Sequence, residues 1–255
     1  MWNLDPESPL PMWRAPGAGP GVSLAFSTRR GGISAPPFDT LNLGRSSADQ
    51  PEAVAENRRR FLASLGLESA ALATAGQVHG RRVERALEGG HYRDCDALVT
   101  TRAGLVLAVT TADCMSLLLV APGAVGAAHS GWRGTADGMP RAALDSVCEA
   151  GGVTSGEVTV HLGPCIRGCC YEVGPEVAAR FPAESLRTEG GRSWLDLPTA
   201  ARMQLRAGGV TQIHDTGACT ACEPYWYFSH RRDHGSCGRH WAIAALNGAK
   251  ISQRV

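Results

Sequence analysis

The chain of 255 residues is 44% hydrophobic and 19% charged, with a formal net charge of +1 and a sequence pI of about 7.6. This composition is that of a folded globular protein and excludes disorder throughout the chain. The balanced charge argues against nucleic-acid binding, which usually goes with a pI above ~9, and no stretch approaches the ~18–20 apolar residues that cross a bilayer.

The first segment, residues 1–20, contains five prolines together with Asp5 and Glu7. It lacks the basic start and the apolar middle of a secretory signal peptide, so we expect a cytoplasmic protein. We predict that residues 1–20 form an irregular lead-in and that residues 21–255 form a single domain.

Short apolar runs separated by turn residues predict a series of β-strands. In chain order, the predicted strands are Val22–Ser27, Leu98–Thr100, Leu105–Thr110, Leu117–Val120, Ala124–His129, Glu157–Leu162 and Trp241–Leu246. Hairpin-connected strands mixed with separate helices indicate an α+β fold with mixed β-sheets flanked by helices.

A helix is predicted to begin around Asp49 and Pro51 and to stop at Gly66, because these residues favour the start and the end of helices. Further helices are predicted over Ala136–Ala150, Pro175–Phe181 and Pro198–Ala207. Asp196 is the expected N-cap of the last one.

The chain contains nine cysteines. Because thiols stay reduced in the cytoplasm, this number favours metal binding or catalysis over disulfide bonds. The alternative for each single cysteine is burial as a small hydrophobic residue.

Cys114 and His129 flank two predicted strands joined by the turn Ala121–Pro122–Gly123. One hairpin register pairs Cys114 directly with His129, and a tighter register pairs His129 with Ser116. Both place the cysteine and the histidine on one face, where opposite Cβ atoms are about 4.5–5.5 Å apart. A thiolate and an imidazole at this separation can share one zinc ion.

His79 is the best remaining histidine for a third ligand, because the adjacent Gly80 allows the backbone to approach closely. A structural role for a single histidine is the alternative. Three protein ligands leave one coordination position open, as in catalytic zinc sites, where the pKa of bound water falls to near ~7.

A second group of cysteines competes for metal. Its members are Cys165, Cys169, Cys170, the pair Cys219 and Cys222, and also Cys237 with His240. Together they could build a closed structural zinc site. The sequence leaves open whether such a second site exists.

The turn Gly131–Thr135 lies between a strand and a helix, where backbone N–H groups and Arg133 suit an anion such as phosphate. A plain surface turn is the alternative. Other arginines that could clamp a phosphate or carboxylate are Arg29, Arg231, Arg232 and Arg239. Asp113, next to Cys114, is a candidate for proton transfer, or else a hydrogen-bonded loop residue.

Motifs in a fixed order make the sequence similar to a known family. They are Phe26–Gly32, Leu41–Gly44, Gln77–Gly80, Asp96–Thr100, Thr111–Cys114, Ala128–Gly134, Leu162–Pro164, Cys169–Gly174 and Phe228–Asp233. They resemble the YfiH-like, laccase-domain family of purine nucleoside phosphorylases, earlier described as polyphenol oxidases and as a peptidoglycan editing factor. The resemblance covers nearly the whole chain after about residue 20.

The resemblance implies one zinc ion per chain, held by His79, Cys114 and His129, and an α/β/α-type arrangement around mixed sheets. It also implies phosphorolysis of adenosine, inosine, guanosine and methylthioadenosine, with adenosine deamination as a side activity. Cys114 and Asp113 are then the catalytic candidates. Arg29, Asn42, Arg133 and Arg231 are the candidates for contacts with substrate or phosphate.

The sequence departs from the family pattern at several places. Ser116 stands where the family usually has proline, Ala201 replaces an asparagine, Arg167 a glycine and His230 a tyrosine. The ligand set is intact, so these changes bear on the preferred nucleoside more than on the chemistry.

Three other functions compete with this interpretation. Cys114 and His129 could act without metal as the nucleophile and base of a hydrolase, such as an amidase of peptidoglycan precursors. A copper polyphenol oxidase is less favoured, because the chain has only eight histidines, mostly scattered. A non-enzymatic partner protein is the last alternative. We expect small-molecule partners, and a monomer or a small homo-oligomer.

Overall fold

Two large mixed β-sheets pack face to face, with helices on their outer sides, in a computed structural model that describes residues 1–15, 21–45 and 47–247. In these ranges the strands are β1 (Asn3–Leu4), β2 (Met12–Arg14), β3 (Val22–Ser27), β4 (Ala71–Ala75), β5 (Val83–Arg85), β6 (Gly90–Tyr92), β7 (Ala97–Thr100), β8 (Leu105–Thr111), β9 (Met115–Ala121), β10 (Ala124–Ser130), β11 (Thr159–Leu162), β12 (Glu172–Val173), β13 (Leu186–Glu189), β14 (Arg192–Leu195), β15 (Gln212–Asp215) and β16 (His240–Leu246). The helices are α1 (Pro51–Ala63), α2 (Trp132–Ala136), α3 (Met139–Gly151), α4 (Pro175–Ala178) and α5 (Leu197–Ala207).

The larger sheet has the strand order β1-β2-β3-β16-β8-β4-β6, and the second has β15-β11-β9-β10-β7-β5. Both sheets combine antiparallel with parallel neighbours. A small antiparallel sheet, β12-β14-β13, lies apart from them. The predicted α+β fold, a single domain with mixed sheets flanked by helices, is confirmed.

The alternation of side chains along β9 shows how the layers are held together. Leu117 and Leu119 point to the helix side, where they join the cluster that contains residues of α3 and α5. Leu118 and Val120 point the other way, into the core between the two sheets. Both faces of β9 are therefore buried away from water, which explains why the strand is almost entirely apolar in sequence. Each fully buried leucine stabilises the fold by about 1.5–3 kcal/mol relative to an exposed one.

Helix α1 covers the outer face of the larger sheet through Phe61 and Leu62. Its N-cap is Gln50 and its first residue is Pro51, which agrees with the predicted start around Asp49 and Pro51. The Asp49 carboxylate accepts hydrogen bonds from Ser34 and Asn42. Asp196 caps α5 as predicted, since its side chain accepts a hydrogen bond from the Thr199 N–H.

The prediction of an irregular lead-in over residues 1–20 is wrong for its described part. Strands β1 and β2 pair with each other, and β2 pairs with β3. They are very short strands at one edge of the larger sheet, and they leave almost no periodic signal in a segment rich in proline. The rest of that segment, residues 16–20, lies outside the described residues.

The predicted helix Ala136–Ala150 is in fact two helices, α2 and α3. Gly138 separates them because it adopts a left-handed backbone conformation, with φ of +91°. Among the residues that the structure describes, no helix has the length and apolar character needed to cross a membrane.

Candidate metal centre

The structure brings together the three side chains for which the sequence predicts a shared metal. One ligand atom each from His79, Cys114 and His129 lies within 4.8 Å of the other two. His79 lies in the loop between β4 and β5, Cys114 directly precedes β9, and His129 is in β10. The centre is thus built at one end of the second sheet.

The β9–β10 hairpin adopts the tighter of the two predicted registers. Ala121 pairs with Ala124 around the turn, and His129 lies opposite Ser116. Continuing this register places Gly131 opposite Cys114, so the thiol is the diagonal neighbour of His129. Cys114 and His129 therefore share a face, as both registers predict.

Gly131 leaves the space that the centre needs. A Cβ atom at this position would lie 2.8 Å from Sγ of Cys114 and 3.3 Å from Cδ2 of His79. The first distance is too short for any side chain, so a larger residue at position 131 would push the ligands apart.

Asp96 organises two of the three ligands. Its Oδ1 lies 2.9 Å from Nδ1 of the buried His129. The same carboxylate accepts hydrogen bonds from the backbone N–H groups of Val78, His79 and Gly80, at 3.1, 2.9 and 2.8 Å. Because Nδ1 of His129 is engaged, Nε2 remains to face Cys114.

Sequence reasoning did not identify Asp96 as a functional residue, although it begins one of the family motifs. Its position directly before the fully buried strand β7 was the only further signal. The pairing of β7 with β10 is what brings it beside His129.

The charges around Cys114 and His129 favour a thiolate beside an imidazolium. Burial alone would raise the pKa of Cys114, but the adjacent His129 and His79 lower it to about 6. Burial would lower the pKa of His129, but Cys114 and Asp96 raise it to about 9. Since the thiolate is both the metal ligand and the nucleophile, this arrangement suits either role.

The donor set fits a divalent metal. Two imidazoles and one thiolate are ligands that zinc and copper both accept. The carboxylate–histidine contact of Asp96 is the usual support of a metal-ligating histidine. Three protein ligands leave a position for water or substrate.

Asp113 is a buried anchor that holds neighbouring loops. Its carboxylate accepts hydrogen bonds from Oγ1 of Thr220 at 2.5 Å, from Oγ of Ser229 at 3.0 Å and from the backbone N–H of Arg231 at 2.8 Å. The hydrogen bond from the Arg231 N–H holds the backbone in place at that residue. Proton transfer by Asp113 stays a prediction, and the contacts favour the alternative of a hydrogen-bonded loop residue.

Of the predicted anion-binding arginines, Arg231 packs against Tyr171, and the charge of Arg133 also acts on that tyrosine. The Arg231 guanidinium lies 5.0 Å from the centroid of the Tyr171 ring and donates to the carbonyl of Glu172. Arg133 is exposed and packs over Trp132, 4.3 Å from the ring centroid.

Tyr171 is a second residue that sequence reasoning did not single out. Burial and the charge of Cys114 raise its pKa to about 12, although Arg231 and Arg133 lower it. Its hydroxyl is therefore neutral near pH 7.

Asn42 is placed differently from the substrate contact that we predicted. Its side chain is fully buried, and its amide nitrogen donates to Ser47 and Asp49. Its carbonyl oxygen accepts from the N–H groups of Gly44 and Arg239. With no exposed surface and both amide groups satisfied, Asn42 supports a loop instead of facing a ligand.

Arg29 is also held by its neighbours. It forms an ion pair with Asp39 at 3.0 Å, donates to the carbonyl of Pro224, and packs against Phe228. Arg232 and Arg239 likewise donate to backbone carbonyls, those of Thr220 and Gly238 among them. A substrate contact of Arg29 stays a prediction.

The second cysteine group assembles only in part. Cys169, Cys170, Cys219 and Cys222 come together, with their sulfur atoms within 4.8 Å of one another. Cys165 is fully buried and pairs through its backbone with Cys219. Cys237 accepts a hydrogen bond from Arg239, and His240 accepts one from the Phe228 N–H, so these residues stand outside the group.

The sequence pattern of a known family, described as multi-copper polyphenol oxidoreductase laccase, matches residues 23–247. A purine nucleoside phosphorylase of Deinococcus radiodurans is 41% identical over 243 residues, which are 93% of this chain and 93% of the relative. Purine nucleoside phosphorylase YlmD of Geobacillus stearothermophilus is 36% identical over 255 aligned positions, covering 91% of this chain and 93% of that protein.

Crystal structures show the same fold. YlmD from Geobacillus stearothermophilus superimposes with a TM-score of 0.89 at 33% identity, covering 97% of this chain and 99% of the other. Bacillus licheniformis YfiH superimposes with a TM-score of 0.90 at 29% identity, covering 96% of this chain and 99% of YfiH. By sequence and by structure, the chain belongs to the laccase-like family of YfiH and YlmD.

Proposed function

We propose that this chain is a zinc-dependent purine nucleoside phosphorylase whose centre is His79, Cys114 and His129. The observation that carries the proposal is the convergence of these three side chains, with Asp96 supporting His129. The relatives named purine nucleoside phosphorylase, which align over more than nine tenths of the chain, support the reaction class.

In this proposal, Arg231 and Arg133 bind phosphate beside the centre. Their guanidinium groups offer charge-assisted hydrogen bonds to phosphate oxygens. Asp113 keeps the backbone of Arg231 in place through the hydrogen bond of 2.8 Å. Because Arg231 also packs on Tyr171, the phosphate is held against the wall formed by that ring.

A phosphate oxygen then attacks C1′ of the ribose and forms the new C–O bond. The C1′–N9 bond breaks, and its electron pair moves onto the purine. The purine gains the proton that hydrogen phosphate gives up on becoming ribose 1-phosphate, and it leaves as the free base. His79, Cys114 and His129 would hold zinc here, and zinc would supply an electrophile for negative charge that develops on the purine. Tyr171, with its raised pKa, stays protonated and can donate a hydrogen bond to the substrate.

We include adenosine, inosine, guanosine and methylthioadenosine among the substrates, together with a second reaction, adenosine deamination. There, water adds to C6 of the purine and ammonia leaves, a reaction that zinc deaminases perform. The features that make the centre suitable are its three candidate ligands, which would leave a bound zinc ion accessible to water, and the support of His129 by Asp96.

A metal-free Cys–His hydrolase is the second candidate, and one observation favours it. Cys114, His129 and Asp96 stand in the order nucleophile, base and orienting carboxylate. His79 has no necessary role in that mechanism. A copper polyphenol oxidase is less favoured because, among the described residues, the only other group of candidate ligands consists of four cysteines.

The test is phosphorolysis by the full chain, purified and loaded with zinc. With adenosine and phosphate we expect adenine and ribose 1-phosphate, and loss of both with His79→Ala. His91→Ala, at an exposed histidine outside the centre, is the matched control and should retain activity. A zinc-loaded protein that forms neither base nor ribose 1-phosphate from any of the four nucleosides would contradict the proposal. Full phosphorolysis by the His79→Ala variant without metal would show that the reaction does not need the proposed zinc centre.

A further inference from the structure

Four thiols from two separate loops meet at one point outside the three-ligand centre. Cys169 and Cys170 lie in the loop after β11, and Cys219 and Cys222 in the loop after β15. The sulfur of Cys169 is 3.5 Å from those of Cys219 and Cys222, and the sulfur of Cys170 is 3.2 Å from that of Cys222. All four sulfurs lie within 4.8 Å of one another.

These separations are those of a single tetrahedral ion. Zinc–sulfur bonds of about 2.3 Å in tetrahedral geometry place the sulfur atoms about 3.8 Å apart. The three shortest sulfur–sulfur distances, 3.2–3.5 Å, lie slightly below that value, and no pair of the four is more than 4.8 Å apart. A disulfide requires about 2.05 Å between two sulfurs and leaves the other two thiols without a role.

We propose that Cys169, Cys170, Cys219 and Cys222 bind one structural zinc ion, distinct from the metal of the His79–Cys114–His129 centre. Four cysteine ligands complete the coordination of zinc and leave no position for a substrate, which is the pattern of a structural site. The class of ligand is a divalent, thiolate-preferring cation.

The position of the proposed ion gives it a structural consequence. The loop of Cys169 and Cys170 continues into Tyr171, and the loop of Cys219 and Cys222 contains Thr220, which donates to Asp113. The ion therefore joins the loop that leads to Tyr171 to the loop that holds Asp113, the residue before Cys114. Binding energy of a structural zinc contributes directly to the stability of the folded chain.

The experiment measures zinc in the full chain, purified under reducing conditions and then incubated with zinc alone. His79→Ala weakens the first centre and keeps all four cysteines, so this variant is expected to retain one tightly bound zinc. X-ray absorption at the zinc edge should then show four sulfur ligands at about 2.3 Å. Cys222→Ser should lose one equivalent of zinc and unfold at a lower temperature.

Cys148→Ser is the matched control, because Cys148 is a half-buried cysteine of α3 outside both groups. It should leave the zinc content unchanged. The proposal is overturned if the His79→Ala variant binds no zinc, or binds it with nitrogen ligands. It is equally overturned if iron replaces zinc in the purified protein, or if peptide mapping finds a disulfide between Cys170 and Cys222. None of these readouts depends on phosphorylase activity, so failure here and failure of the proposed function are separate results.

Discussion

The carboxylate of Asp96 lies 2.9 Å from Nδ1 of His129, and this contact fixes which ring nitrogen of the histidine faces Cys114. Both side chains are buried, so the orientation is held without competition from water. Replacing Asp96 by asparagine keeps the shape but removes the charge that supports the ligand.

We expect Asp96→Asn to weaken zinc binding at the first centre by about 10–100-fold, as supporting residues of metal sites usually do. Competition with a chromophoric chelator measures this affinity. Asp94→Asn, two residues away and exposed, is the matched control and should bind zinc as the unaltered chain does. Equal affinities in the two variants would show that the contact does not support a metal ligand.

Gly131→Ala tests the close approach of the backbone to the ligands. The glycine has φ of −73°, so alanine fits the backbone, but its Cβ would lie 2.8 Å from Sγ of Cys114. We expect a folded protein that loses zinc from the first centre, measured by metal content and circular dichroism. Gly156 is exposed, and a Cβ atom there would lie 4.0 Å from its nearest neighbour. Gly156→Ala should therefore change neither the zinc content nor the circular dichroism spectrum. Unchanged zinc content in Gly131→Ala would contradict the proposed ligand geometry.

Arg231→Met tests phosphate binding. Losing one charge-assisted hydrogen bond costs about 1.5–3 kcal/mol, so KM for phosphate should rise by about 10–150-fold. Steady-state kinetics at saturating nucleoside measure it. The exposed Arg102→Met serves as the control for removing one positive charge. A rise in KM for the nucleoside alone would place Arg231 at a different part of the substrate.

Asp113→Asn separates positioning from proton transfer. A positioning role predicts a lower kcat/KM with unchanged limbs in its pH profile, because the three donors lose their charged acceptor. The free energy of unfolding should fall by about 1–3 kcal/mol. Disappearance of one limb of the profile would instead assign proton transfer to Asp113.

Two buried histidines predict how stability depends on pH. Burial lowers the pKa of His161 to about 3, and that of His240 also to about 3. In the unfolded chain these groups titrate near ~6.5. Since the unfolded state binds more protons between those values, stability is fully present above pH ~6.5 and decreases as the pH falls toward ~3.

His161→Leu should make that decrease shallower by about 1.4 kcal/mol per pH unit. Neither ring nitrogen of His161 has a hydrogen-bond partner in the described structure, so leucine breaks no such bond. Urea unfolding at pH 7 and pH 5 measures the difference. The exposed His234→Asn should leave the slope unchanged, and a slope unaffected by His161→Leu would show that this histidine is protonated in the folded state.

The sequence alone predicted those features that depend on residues close together in the chain. Alternation along two apolar strands predicted a shared face for Cys114 and His129 in either register, so the uncertainty of the turn did not matter. Asp196 likewise capped its helix through a contact only three residues away.

What the sequence missed depends on distant pairing. Asp96 meets His129 only because β7 and β10 are neighbours in the sheet. Asn42 belongs to one of the motifs, but its side-chain oxygen accepts a hydrogen bond from the backbone N–H of Arg239, almost two hundred residues further along the chain. Cys165 has the spacing of a zinc ligand, yet backbone pairing buries it outside the group of four.

The most direct test of the proposed centre is anomalous X-ray diffraction at the zinc edge from crystals of the full chain grown with zinc. We expect a peak at bonding distance from Sγ of Cys114, from Nε2 of His129 and from a ring nitrogen of His79. No peak at that point, or a peak that appears only at the copper edge, would contradict the account.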